Sequence, residues 1–194
     1  MHDDATDPLA LGTREGLPEA LRVLLAAHPR ESWAGDPEFH GLVAFWLERH
    51  GMFRKLTALM GQQAEALLDR RAEPAQAAGR LGQLGNLFLQ ELHMHHKVED
   101  MHYFPALVGM EGRLARGFEI LDRDHHALDA HLERFATTAN AALTALQRPG
   151  DARGEVAAFA REVEGMETLL DRHLTDEEDL IVPVILRHGA AALG

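Results

Sequence analysis

The chain has 194 residues, enough for one domain with a sizeable core, or for a domain with an arm. Its formal net charge of −12 argues against nucleic acid and anionic membranes as partners, and the plainest reading of that charge is a solvated acidic surface. It has no cysteine, which excludes disulfides, Fe–S clusters and thiolate zinc sites and fits a reducing, cytoplasmic compartment. The N-terminal MHDDATDP lacks a basic apolar leader, and no run is long enough to span a membrane.

Residues 1 to about 16 read as a disordered or loosely attached segment. Leu17-Pro18 opens a short apolar helix, EALRVLLAA, that stops at His28-Pro29. After the turn-rich PRESWAG, Asp36-Pro37 has the form of an N-cap with proline in the first turn. Strand-forming residues are sparse from there on. The pattern predicts four long helices, over about 37–72, 74–104, 111–147 and 151–187, with Pro183 as a kink point in the last. The expected fold is all-α: an up-down antiparallel four-helix bundle over residues 37–194, preceded by an arm with a short helix over 1–36.

Two stretches of this bundle repeat one frame. HHKVEDMHYFP (95–105) and HLTDEEDLIVP (173–183) carry histidine, glutamate, a second acid and proline at the same spacing. A residue and its i+4 neighbour share a helix face, so His95 with Glu99, and His173 with Glu177, each present one imidazole and one carboxylate. Apolar stripes stepping by four and three set the facing. They run Phe39, Val43, Trp46, His50, Phe53, Thr57, Met60 on the first helix and Leu84, Phe88, Leu92, His95, Glu99, His102 on the second. The third gives Leu114, Phe118, Leu121, His125, Leu128, Leu132, Phe135, and the fourth Met166, Leu170, His173, Glu177, Leu180, Val184. At about 1.5 Å per residue, up-down topology puts His50 level with His95, and His125 level with His173.

Six groups are therefore expected in one layer: His50, His95, Glu99, His125, His173 and Glu177. A lone seam histidine is more often a hydrogen-bonded core residue than a ligand. Two buried carboxylates among four imidazoles are different, because without a cation each charge costs on the order of several kcal/mol. His96 and Asp100 share the i,i+4 spacing but lie about 100° off the stripe, as flanking residues within reach. His126 and His131 fall beside the seam. His102 is expected in it, as a hydrogen-bond partner of a ligand rather than a ligand. His2, His28, His40, His93 and His188 read as surface or packing residues, and Met52, Met60, Met101 and Met166 as core filling. Imidazole and carboxylate without sulfur suit iron, manganese or zinc, and two carboxylates invite two bridged ions. Two six-coordinate irons offer about twelve positions; four imidazoles, two bridging carboxylates and an oxo or hydroxo bridge leave about two, or one if a fifth histidine binds. The neighbouring Trp46, Phe53, Phe88, Leu121 and Leu170 would admit a small neutral molecule such as O2, peroxide or NO.

These residues resemble the hemerythrin-like HHE cation-binding family. Its pattern is a histidine on the first helix, His-x-x-x-Glu on the second, a histidine on the third and His-x-x-x-Glu on the fourth. His50, His95 with Glu99, His125, and His173 with Glu177 match it in order, over roughly residues 37–187. The resemblance implies an up-down four-helix bundle with a non-haem site of two iron ions, serving oxygen, nitric oxide or iron sensing, storage or stress response. Oxygen-carrying hemerythrins have a second histidine four residues after the third-helix one, where this chain has Asp129, and an aspartate five residues after the fourth-helix histidine. A protein that binds or senses O2, NO or iron, as a monomer or homodimer, is therefore expected ahead of a dedicated enzyme. The alternative is a di-iron oxidase or peroxidase of ferritin type, which wants Glu-x-x-His on two helices; the chain offers it once, as Glu99-x-x-His102. A structural zinc bundle ranks last.

Overall fold

The computed structural model describes residues 7–193, so His2 and the first six residues of the arm lie outside the description. The described residues are mostly helical, with no strand among them, consistent with a helical bundle. Short 3-10 turns at Glu19–Leu21, Arg30–Gly35 and Pro37–Phe39 surround α1, Val23–Ala27. There follow α2 (Leu42–Leu68), α3 (Pro74–Val98), a π-helical turn (Glu99–Tyr103), α4 (Phe104–Met110), α5 (Ala115–Leu146) and α6 (Arg153–His188). No helix among the described residues is long and apolar enough to cross a membrane.

The departures from expectation have local causes. Asp36 does cap, its carboxylate accepting from the Glu38 N–H at 2.9 Å, but the turn it starts ends at Phe39. Gly41 then takes φ +76°, a left-handed conformation outside any α-helix, and α2 begins only after it. At the other end Arg70 is left-handed at φ 57°, and the Arg71 N–H returns to the Ala66 carbonyl at 2.7 Å. That is a six-to-one closure, and it stops α2 short of residue 72.

The second helix, expected to end near 104, instead continues to Met110 through the π turn. There the Phe104 N–H reaches back five residues to the Glu99 carbonyl. A proline ring clashes with the carbonyl four residues before it, so Pro105 cannot sit in unbroken α-winding without strain, and the wider turn accommodates it. The extra residue shifts the phase of everything beyond Glu99. His102, expected in the seam, is exposed, as is Met101, expected in the core, while Phe104 is buried. Pro183, at the matching place in the repeat, lies inside α6, which runs on to His188.

The chain divides into two compact units. Unit 1 comprises residues 1–51, 95–127 and 171–194. Its core joins Leu17, Leu24 and Trp33 of the arm to Val43, Phe104, Phe118 and the run from Leu180 to Leu186. Residues 7–16 are thus not loosely attached: Ala10, Leu11 and Arg14 are buried. Trp33 is fixed by its indole N–H, which donates to the His28 carbonyl at 2.8 Å, and by the Arg30 guanidinium 4.9 Å above its ring. Unit 2 comprises residues 52–94 and 128–170. A file of phenylalanines runs through it, Phe53 to Phe88 to Phe135 to Phe159, with ring centroids 6.4, 5.5 and 5.5 Å apart.

Two glycines separate the effects of packing and propensity. A Cβ on Gly117 would stand 2.8 Å from a terminal carbon of the buried Leu180, whereas one on Gly165 would meet nothing within 4 Å. Overpacking costs about 1–3 kcal/mol and helix propensity returns up to about 1. Gly117→Ala should therefore lower stability by about 1 kcal/mol and Gly165→Ala should raise it by up to that amount, as read in thermal or denaturant unfolding.

Candidate metal centre

Every predicted site residue falls in unit 1 and is buried or nearly so. Position follows from the stripes: α2 delivers His50, α5 His125, α6 His173 and Glu177, and the end of α3 with its π turn delivers His95 and Glu99. Their functional atoms converge. His50 Nε2 lies 3.2 Å from His95 Nε2 and 3.5 Å from Glu177 Oε2. His95 Nε2 is 3.2 Å from Glu99 Oε1, and His173 Nε2 is 3.2 Å from Glu177 Oε1. His125 Nε2 stands between the carboxylates, 3.6 Å from Glu99 Oε2 and 3.3 Å from Glu177 Oε1.

The structure adds His96 to this set. Its ring is buried, stacked on His125 at 4.0 Å between centroids and edge-on to His173 at 5.5 Å. Two groups of side chains result that could each hold a metal ion: His50, His95, Glu99 and Glu177 in one, and His96, His125 and His173 in the other. The stripe that favoured His95 did hold a signal for His96. After Leu92, positions i+3 and i+4 fall on either side of the same line, so a His-His pair there turns both rings inward. His126 and His102 are exposed, as is Asp129; His40, His93 and His188, read as surface or packing residues, are exposed too.

Three of the imidazoles have a carboxylate behind them. His50 Nδ1 is 3.1 Å from Glu178, His125 Nδ1 2.7 Å from Asp100, and His173 Nδ1 3.5 Å from Asp124. An acceptor at Nδ1 draws the ring proton there and leaves the Nε2 lone pair facing the centre. Arginines from the arm stand behind two of those carboxylates. Arg14 grips Asp124 with both terminal nitrogens and Asp176 with Nε at 2.8 Å. Arg30 donates to Glu178 and Asp179, each at 2.7 Å. The Arg14 pairs are almost wholly buried, a setting in which losing one partner costs about 3–5 kcal/mol.

Burial and the facing Glu177 carboxylate push the Glu99 carboxyl well above its usual range. Glu177 would rise by burial too, but the charge of His173 and the imidazole of His125 beside it hold it well below. Burial draws His95 down to about 3 and holds His96 well below its ordinary value. For His173 the pull of burial is outweighed by Glu177 and Asp124, which push it up to about 9. In the metal-free protein, imidazole NMR shifts should therefore show His95 neutral and His173 charged throughout pH 5–8. The linked stability follows in sign. The share from His173 is full below about pH 6.5 and fades as pH rises through about 9, and the share from His95 is full above about 6.5 and fades as pH falls toward about 3.

Residues 41–185 match the family described as the Hemerythrin HHE cation binding domain. No curated protein and no solved structure matches the chain. The match spans most of the sequence and contains all seven converging side chains, and the chain belongs to the hemerythrin HHE cation-binding family.

Proposed function

We propose that the chain is a non-haem di-iron protein that binds or senses O2, NO or iron, built as an up-down four-helix bundle over residues 37–194 with residues 1–36 as its arm. His50, His95, Glu99, His125, His173 and Glu177 are its ligands, with His96 as a seventh. The observation that carries the reading is a set of buried polar atoms with no hydrogen-bond partner among the described residues: both Glu99 oxygens, Glu177 Oε2, His96 Nε2 and His173 Nε2. Polar atoms are rarely left this way in a protein interior, and a shared pair of cations would satisfy them together. Nitrogen and oxygen donors without sulfur suit iron, with manganese or zinc as competitors.

Five imidazoles divide as two in the first group and three in the second. An ion held by the first group would therefore have fewer imidazoles around it than one held by the second, and would be the one with room for a small exogenous ligand. Iron held there would supply the binding of a small diatomic molecule. The chain's own residues line that room: Trp46, largely buried, stands edge-on to His50 and His95 at 6.4 and 6.1 Å and limits water there. The ferritin-like oxidase alternative loses its one Glu-x-x-His pair, since His102 is exposed.

Metal analysis with an optical spectrum, reduced and after exposure to air, tests the reading. Two irons per chain, and a new charge-transfer band when azide is added to the oxidised protein, are expected; two irons with a spectrum indifferent to azide would leave iron storage or a structural role. Glu177→Ala should drop the content to one ion or fewer, and retention of two tightly bound ions would remove Glu177 from the ligand set. His125→Leu should lose iron while His126→Leu keeps it, and the reverse would shift the helix α5 assignment by one residue.

A further inference from the structure

The arm, residues 7–36, lies outside the part of the chain that matches the family. Its two arginines nevertheless enter the surroundings of the site by the same construction. In one relay, Arg14 Nη1 donates to Asp124 Oδ1 at 2.8 Å and Nη2 to Oδ2, and that Oδ2 faces His173 Nδ1 at 3.5 Å. In the other, Arg30 Nη1 donates to Glu178 Oε2 at 2.7 Å, and Glu178 Oε1 faces His50 Nδ1 at 3.1 Å. The order is guanidinium, carboxylate, imidazole in both, and the two imidazoles belong to different halves of the centre. Arg14 is anchored at a second point, its Nε on Asp176 at 2.8 Å, and the Leu17 N–H donates to the other oxygen of Asp176 at 3.2 Å. The third imidazole is a built-in contrast. Asp100, behind His125, is 29% exposed and makes no ion pair with an arginine among the described residues.

We propose that Arg14 and Arg30 are positioning residues of the metal centre, so that the arm is a working part of the site. A planar guanidinium locks a carboxylate in two-point geometry. The locked carboxylate fixes ring rotation and tautomer at His173 and His50, and hence where each Nε2 points. Arg14 also places a full positive charge two groups from the site in a buried setting, where charge is poorly screened, whereas Arg30 is partly open to solvent. Removing one should loosen the ion and make the oxidised state easier to hold, which lowers the midpoint potential. The inference rests on the di-iron reading above.

The test compares iron-loaded wild type with Arg14→Gln, Arg14→Lys, Arg30→Gln and Arg123→Ala. Arg123 ties down the same arm, donating to Asp7 at 2.6 Å and to the Leu9 carbonyl at 2.8 Å, but grips no carboxylate that faces a ligand. Loss of an outer-shell partner of a ligand typically costs 10–100-fold in metal affinity. Arg14→Gln should therefore release iron to a chelator at least about 10-fold faster, with a lowered midpoint potential and a shifted optical spectrum. Arg14→Lys, which keeps the charge but cannot fork, should fall between it and wild type. Arg123→Ala should melt earlier yet match wild type in all three readings. If Arg14→Gln fails to fold, Arg14→Lys carries the test alone, and wild-type values for it overturn the inference. If Arg14→Gln folds and differs from wild type only in its melting temperature, the arginine is merely structural and the inference falls while the metal centre stands. A wild-type chain that takes up no iron, manganese or zinc overturns the di-iron reading and this inference with it.

Discussion

Glu99 and Glu177 place two carboxylates in the interior, exposed by 1% and 0%. Uncompensated, each would cost on the order of several kcal/mol, a large part of what holds a domain of this size together. The rest of unit 1 is arranged in answer to that cost. Imidazoles surround the carboxylates, further carboxylates stand behind three of the imidazoles, and arginines stand behind two of those. Along these lines sign and polarity alternate outward from the centre.

This layering explains why α6 is buried on nearly all sides over its last third. An amphipathic helix keeps one face wet, but from Asp176 to Leu186 every residue is buried. The arm covers what would be the wet face. It does so with apolar contacts from Leu17, Leu24 and Trp33 and with the two arginines, which neutralise Asp176, Glu178 and Asp179 where water would otherwise solvate them. Four consecutive acids in the sequence are therefore interior groups, and part of the formal charge of −12 never reaches the solvated surface.

The convergence of His50, His95, Glu99, His125, His173 and Glu177 was legible because a four-and-three stripe is a direct consequence of helical geometry, and the same frame occurs twice. Three things were not legible. The π turn after Val98 depends on how Pro105 is accommodated, and the matching Pro183 is absorbed without a break, so proline spacing alone cannot distinguish them. His96 lost to His95 in a stripe drawn as a line, although a helix face is wide enough to take both rings. The docking of Arg14 and Arg30 is tertiary: nothing local in LGTREGLP or HPRESW marks those arginines as partners of buried acids some 150 residues away.

Sequence separation gives the centre a place in the order of folding. Its local pairs are His95 with Glu99 and His173 with Glu177; the other contacts close long loops, with His50 to Glu178 spanning 128 residues and Arg14 to Asp176 spanning 162. Loop closure grows costlier with length, by about 0.6 kcal/mol per doubling, and long-range contacts form after local ones have reduced the effective distance. A nascent chain can wind α2, α3 and α5 without α6, but it holds only part of the ligand set until α6 arrives to meet both the earlier helices and the arm. A complete centre thus requires α6, and an intermediate that lacks it has four histidines and a single buried-site glutamate with nothing to close around.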